Sequence, residues 1–116
     1  RDIKKNPICN KNLCGVVSLD IIKNINYLFL KDLLSESSDI ELIDVRSVQD
    51  HNKYNIGGIN IPLSNLTNQS NSLKKSKTTV VYCQSGQTSL AAAQFLIENG
   101  FTNVLNLEGG MNKILL

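Results

Sequence analysis

The sequence predicts an α/β fold with a mainly parallel sheet, and three observations carry that expectation. Short apolar runs end abruptly at polar residues, as strands buried on both faces do: Ile40 to Val45, Thr78 to Cys83 and Asn103 to Leu107. Segments of helical period lie between them. Gly and Pro mark the junctions, at Gly57-Gly58, Pro62, Gly100 and Gly109-Gly110. Strands alternating with helices build parallel sheets through crossover connections.

The elements follow in chain order. Residues 1–24 are polar, with Pro7, Gly15, Cys9 and Cys14, and hold neither period for long. They read as a linker or the tail of a preceding domain, and 25–116 as the folded domain. Leu30, Leu33 and Leu34 stand at helical spacing, with Leu28 and Phe29 in the turn before. Ser35 to Asp39 is a polar break, and Ile40 to Val45 a strand. Val48 to Tyr54 suits a short helix, and Ile59-Asn60-Ile61 a short strand between two glycines and Pro62. Residues 64–77 read as a loop with one helical turn. After the strand at 78–83, residues 89–100 give the clearest helix. Leu90, Ala93, Phe95, Leu96 and Ile97 form its apolar side, Thr88 or Ser89 can cap its start, and Gly100 can end it. Residues 103–107 form a further strand, and Gly109-Gly110 turns the chain into a last short helix.

Composition sets the function classes. The 116 residues suit one domain, and 41% hydrophobic with 19% charged residues is ordinary for a globular chain. A net charge of +2 argues for neither nucleic acid nor membrane binding. No apolar run is long enough to span a bilayer, and no secretory pattern opens the chain. Three cysteines do not make a disulfide framework, and a reducing cytoplasm is the expected location. The start at Arg1, without Met, is expected of a fragment of a longer protein. Four residues separate Cys9 from Cys14 with no His nearby, so no metal site is predicted.

The chemistry points to one place. In parallel α/β sheets, ligands sit beyond the carboxyl ends of strands. Two such ends carry reactive or charged residues: Asp44-Val45-Arg46 and Cys83. Cys83 is followed by a small polar loop, Gln84-Ser85-Gly86-Gln87-Thr88-Ser89, and then a helix. Gly86 permits a left-handed backbone, so the loop can turn its amides inward as an anion nest. The helix adds its positive end. Such a nest favours the thiolate, the reactive form of Cys83. The competing reading is a buried strand-end cysteine without reactivity. His51 reads as a surface helix position without a partner. Lys74, Lys75 and Lys77 read as a solvated face, with an acidic partner as the alternative.

An ordered set of motifs completes the reading: Asp44-Val45-Arg46, Ile61-Pro62, Cys83-x-x-Gly86-x-x-Ser89, Gly100-Phe101 and Gly109-Gly110. Over residues 25–116 this set resembles the rhodanese homology domain, a family of sulfurtransferases. The resemblance implies a central, mainly parallel sheet of about five strands with helices on both faces. It implies that Cys83 forms a persulfide and that the amides of Gln84, Ser85, Gly86, Gln87, Thr88 and Ser89 cradle it. Asp44 and Arg46 would buttress the loop. No resident cofactor and no metal are implied for this chain. The family often has arginine where Gln84 and Thr88 stand here. Neither can replace a bidentate cation against an oxyanion, so weak thiosulfate turnover is expected, with a protein persulfide as donor.

Residues 4–15 are also similar to the end of the adenylating domain of molybdopterin-synthase and thiamin-type adenylyltransferases, some of which carry a C-terminal rhodanese domain. ATP and zinc would then belong only to that further domain, and Asn6 stands where one zinc cysteine would be. The expected partners are a cysteine desulfurase as donor and a ubiquitin-like sulfur-carrier protein as acceptor, in molybdopterin or thiamin biosynthesis. Two other functions compete. A phosphatase of the related cell-cycle type needs an arginine clamp that Cys83 to Ser89 lacks. A non-catalytic rhodanese-like interaction domain is the alternative that an inert Cys83 would favour.

Overall fold

The computed structural model describes residues 22–114. Five strands form one sheet: β1 (Lys23–Ile25), β2 (Ile40–Asp44), β3 (Ile59–Asn60), β4 (Thr78–Tyr82) and β5 (Val104–Leu107). Their order is β1-β5-β4-β2-β3, and every pairing is parallel. Five helices join them: α1 (Tyr27–Glu36), α2 (Val48–Lys53), α3 (Leu66–Gln69), α4 (Gln87–Glu98) and α5 (Gly110–Ile114). The expected α/β architecture is the one observed.

Strand alternation divides the core into two layers. Ile43, Val81, Cys83 and Val104 face α4, whose buried side is Ala92, Ala93 and Leu96. The two alanines let the helix approach the sheet closely. Leu42, Val80, Tyr82, Leu105 and Leu107 face the other way, toward Leu30 of α1 and Met111 of α5. Each Leu, Ile or Met taken out of water here stabilises the fold by roughly 1.5–3 kcal/mol. Because β4 lies between β5 and β2, its carboxyl end is walled on both sides by neighbouring strand ends.

Local sequence explains most boundaries. Asn26 caps α1 by accepting from the Phe29 amide at 2.8 Å, and Ser47 caps α2 by accepting from Asp50 at 3.1 Å. After α4, Gly100 at φ +96° closes a Schellman turn: its amide bonds Ile97 O at 3.1 Å, and Phe101 bonds Leu96 O at 3.0 Å.

Four details depart from the sequence reading. First, β1 begins at Lys23, inside the segment read as linker, and Ile22 is buried. Three residues are too few to show a period; only pairing with β5 makes them a strand. Second, Leu28 and Phe29 lie in the first turn of α1 and face solvent, because the helix packs through Leu30 with Leu33 beside it. Third, the stretch after Pro62 is three consecutive short turns, a 3-10 turn at Leu63–Asn65, α3, and a 3-10 turn at Ser70–Ser72, anchored by buried Leu66 and Ser70. Fourth, neither Thr88 nor Ser89 caps α4. The helix begins at Gln87, so both lie within its first turn, and Gly86 precedes it without a side-chain cap.

Candidate active site

The first turn of α4 takes its cap from the sulfur. Cys83 Sγ accepts from the Gly86 amide at 3.1 Å and from the Ser89 amide at 3.2 Å. These are amides that the start of a helix leaves unpaired. The geometry depends on Gly86, whose φ of +96° would strain any other residue. A Cβ there would also lie 2.9 Å from the Gly109 nitrogen. The side-chain oxygen of Ser89 lies 3.4 Å from the sulfur and 2.5 Å from Asn106 Oδ1 of β5.

Opposing effects set the ionisation of Cys83. Burial pushes the thiol up. Hydrogen bonds to the thiolate from the Ser89 hydroxyl, when its proton turns to the sulfur, and from the amides of Ser89, Gly86 and Ser85 act the other way, and the thiol lies below its ordinary range. Cys83 is 3% exposed, and its opening is a cavity of about 280 Å³ lined also by Val45, Arg46, Asp50, Gln84 and Thr88. A second cavity, of about 300 Å³, lies between α1 and α5, and its walls include neither Cys83 nor its loop.

A buried ion pair stands beside the loop. Asp44, fully buried at the end of β2, accepts from Arg46 Nε at 3.0 and 3.1 Å and from Nη2 at 2.8 Å. It also accepts from the Arg46 amide at 3.0 Å, so a two-residue turn holds both charges. Arg46 then reaches Tyr54 O at 2.6 Å and Gln84 Oε1 at 3.3 Å. Gln84 Nε2 continues to Asn112 Oδ1 at 2.7 Å, linking β2, the loop and α5. Burial raises the Asp44 carboxyl, but the bonds from Arg46 and His51 overcome this and hold it below its ordinary range. Tyr82, beneath the pair, is pushed up to about 12 by burial and by Asp44, so it stays protonated and donates to Gly57 O at 2.9 Å.

From the other side, α5 holds the loop by its backbone. Met111 N bonds Cys83 O and Asn112 N bonds Gln84 O, each at 2.9 Å. The approach requires Gly110, whose added Cβ would lie 2.7 Å from Gln84 O.

The structure therefore separates the loop residues by role. Gly86 and Ser89 bond the sulfur; Gln84 bridges Arg46 and Asn112. The Gln87 amide is turned to the Ser85 hydroxyl at 3.3 Å, and Thr88 lines the cavity. His51 corrects the sequence reading. It is not a solvated position without a partner: Nδ1 lies 2.8 Å from Asp44 Oδ2, with the side chain 18% exposed. Asn106 and Asp50 also belong to the site. Asn106 is a polar residue in a strand buried at all four positions, and that pattern was the signal for it. Asp50, one turn into α2, carried no signal.

Among the described residues, no group of His, Cys, Asp or Glu is placed to hold a metal ion. No helix among them is long and apolar enough to cross a membrane. Cys9, Cys14 and the segment similar to an adenylating domain lie outside the described residues.

A cysteine held by helix-start amides at the carboxyl end of a central parallel strand is the defining feature of this α/β domain. Comparison with known proteins gives the family: the chain belongs to the rhodanese-like domain family, whose profile matches residues 29–116. It is 42% identical over 74 residues to YqhL of Bacillus subtilis, covering 63% of this chain and 59% of that protein. It is 29% identical to YrkF of the same organism, covering 78% of this chain and 49% of the relative. The chain thus spans about half to three fifths of these two relatives. The thiosulfate sulfurtransferase GlpE of Shewanella oneidensis is 31% identical, with 68% of this chain and 79% of that one covered. Among solved structures, a rhodanese-like domain protein from Staphylococcus aureus superposes with a TM-score of 0.71 at 30% identity, covering 78% of this chain and 88% of that one.

Proposed function

We propose that this domain is a sulfurtransferase that carries sulfane sulfur as a persulfide on Cys83. The single observation that carries the reading is the seat of the sulfur: two backbone N–H groups at 3.1 and 3.2 Å, open to a cavity of about 280 Å³. Loading needs a thiolate. Cys83 Sγ attacks the outer sulfur of a donor persulfide; a new S–S bond forms, the donor's S–S bond breaks, and the donor leaves as a thiolate that takes up a proton. The inner sulfur stays against the Gly86 and Ser89 amides, and the transferable sulfur occupies the cavity.

The charge of the cavity bears on the donor. Its charged side chains are Arg46 and Asp50. Arg46 is committed to Asp44, Tyr54 O and Gln84 and is also attracted by Asp50, so Asp44, Arg46 and Asp50 together carry one net negative charge. A dianion such as thiosulfate meets no cationic clamp there, whereas a protein persulfide brings its own contacts. The donor proposed is therefore a cysteine desulfurase, with weak use of thiosulfate, even though GlpE is named for that substrate. The acceptor proposed is the adenylated C-terminus of a ubiquitin-like carrier in molybdopterin or thiamin biosynthesis. The outer sulfur attacks the acyl carbonyl and displaces AMP, and a dithiol reductant then cleaves the bond to Cys83. In this reading the domain follows an adenylating domain, itself the bearer of any ATP or zinc, in a cytoplasmic protein. The choice of pathway rests on the similarity of residues 4–15 alone.

Intact-protein mass spectrometry after brief exposure to a loaded cysteine desulfurase, with thiosulfate in parallel, tests this. A gain of one sulfur, reversed by dithiothreitol and absent in Cys83→Ala, is the expected result. No gain from either donor rejects the reading and puts the interaction-domain alternative in its place.

A further inference from the structure

Behind Cys83 lies a buried polar chain that ends in Asn106. The side chain of Asn106 is 3% exposed, in a strand otherwise made of Val and Leu. Its partners fix its orientation. Nδ2 donates to Gly86 O at 3.3 Å and to Asn24 Oδ1 at 3.0 Å. Gly86 O can only accept, so the amide nitrogen faces it and the carbonyl faces the other way, toward Ser89 Oγ at 2.5 Å. Oδ1 bears no proton. The one hydroxyl proton of Ser89 therefore points to Asn106, and the lone pairs of Oγ face Cys83 Sγ at 3.4 Å.

This arrangement suits a thiol: S–H donates to Oγ, and O–H donates to Oδ1. A thiolate has no proton to give and gains from every donor that turns to it. The Gly86 and Ser89 amides are fixed donors in either state. The Ser89 hydroxyl can join them only by leaving Oδ1, a buried carbonyl oxygen, without its donor. An unmade bond at a buried acceptor is costly.

We propose that Asn106 is a positioning residue: it holds the Ser89 hydroxyl proton away from Cys83 and keeps the resting sulfur more protonated than its amide nest alone would leave it. The proposal rests on Cys83 as the reacting sulfur. Its effect passes through Ser89 and requires no contact between Asn106 and any substrate.

The test is the pH profile of Cys83 alkylation by iodoacetamide, which reads the thiol itself and is independent of sulfur loading. Asn106→Leu keeps the volume and removes the acceptor. The freed hydroxyl turns to the thiolate, and the apparent thiol pKa falls by about one unit, a typical strength for a hydrogen bond to a charged group. In a Ser89→Ala background the same substitution leaves the profile unmoved. Asn106→Asp accepts more strongly and adds negative charge, so the pKa rises, and it rises more with Ser89 present than in the Ser89→Ala background; that difference decides the matter even if Asn106→Leu does not fold. An unchanged or raised pKa in Asn106→Leu overturns the proposal, as does an equal shift with and without Ser89, or a fall in Asn106→Asp. Failure of sulfur loading with the expected alkylation shifts would reject the proposed function and leave this inference standing.

Discussion

Gly110→Ala is the substitution that most directly probes how the loop is held. Gly110 has φ +55°, in the left-handed region, where a side chain costs about 1–2 kcal/mol. Its added Cβ would lie 2.7 Å from Gln84 O and 2.8 Å from Gln84 C, with Cys83 O nearer still. These are backbone atoms, which cannot swing aside as a side chain can. Overpacking of this kind costs about 1–3 kcal/mol. The sum is roughly 2–5 kcal/mol, a large share of a small domain's stability. Relief by moving α5 outward would stretch the two 2.9 Å bonds from Met111 and Asn112 to the carbonyls of Cys83 and Gln84. The expected outcome is a melting temperature lower by about 10 °C or more, with slower Cys83 alkylation in the folded protein. Circular dichroism melts and iodoacetamide kinetics measure both. Gly57→Ala is the control: its φ is +102°, but nothing lies within 4 Å of the added Cβ, so backbone strain alone acts. Equal melting of Gly110→Ala and the parent protein, with unchanged alkylation, would refute the packing argument.

Other outcomes follow from the same geometry. Arg46→Ala leaves Asp44 buried without its cation and should destabilise the fold by about 3–5 kcal/mol in denaturant titrations. Asp44 is held below its ordinary 3.8, so its contribution is complete above that value and fades as pH falls through the lower folded value. Asp44→Asn should therefore flatten the acid limb of the stability profile. Cys83 is likewise depressed, so alkylation should reach half its maximal rate below pH 9.0, the thiol's ordinary value. By the same sign, the thiolate's stabilisation is complete above the unfolded value and lost as pH falls through the folded one. Asp50→Asn removes the net negative charge at the cavity, and thiosulfate kcat/KM should rise roughly two- to five-fold, as for a partly screened exposed charge. Loading from a protein persulfide should change less, and an equal change in both would reject a role for Asp50 against dianions.

Legibility in the sequence followed how local each interaction is. The strands at Ile40–Asp44, Thr78–Tyr82 and Val104–Leu107 were readable because burial on both faces forces near-continuous apolar runs. Helix α4 was readable from its period, and its end from Gly100. Cys83 and its glycine loop were legible because a strand end followed by Gly and a helix start is one contiguous piece of chain. Asp44 and Arg46 were legible as a pair two residues apart. β1 was not, since three residues become a strand only by bonding β5, about eighty positions away in sequence. His51 looked solvated because its partner Asp44 belongs to a different element. Thr88 and Ser89 have the residue types that cap helices, yet the free amides of α4 are taken by a sulfur upstream.

The sequence by itself determined the alternation of elements, the family, and the strand-end cysteine on which the proposed function rests, because these depend on periodicity and on short contiguous motifs. Only the tertiary structure decided the environment of that residue. Parallel pairing brings the ends of β2, β4 and β5 side by side, and so places Arg46, Gln84, Ser89 and Asn106 around one sulfur. It also sets Gly110 against the carbonyls of Cys83 and Gln84. The ionisation of Cys83 is the balance of burial against amides, a hydroxyl and its acceptor. That balance depends on distances of about 3 Å between residues far apart in the chain, which no pattern along the chain encodes.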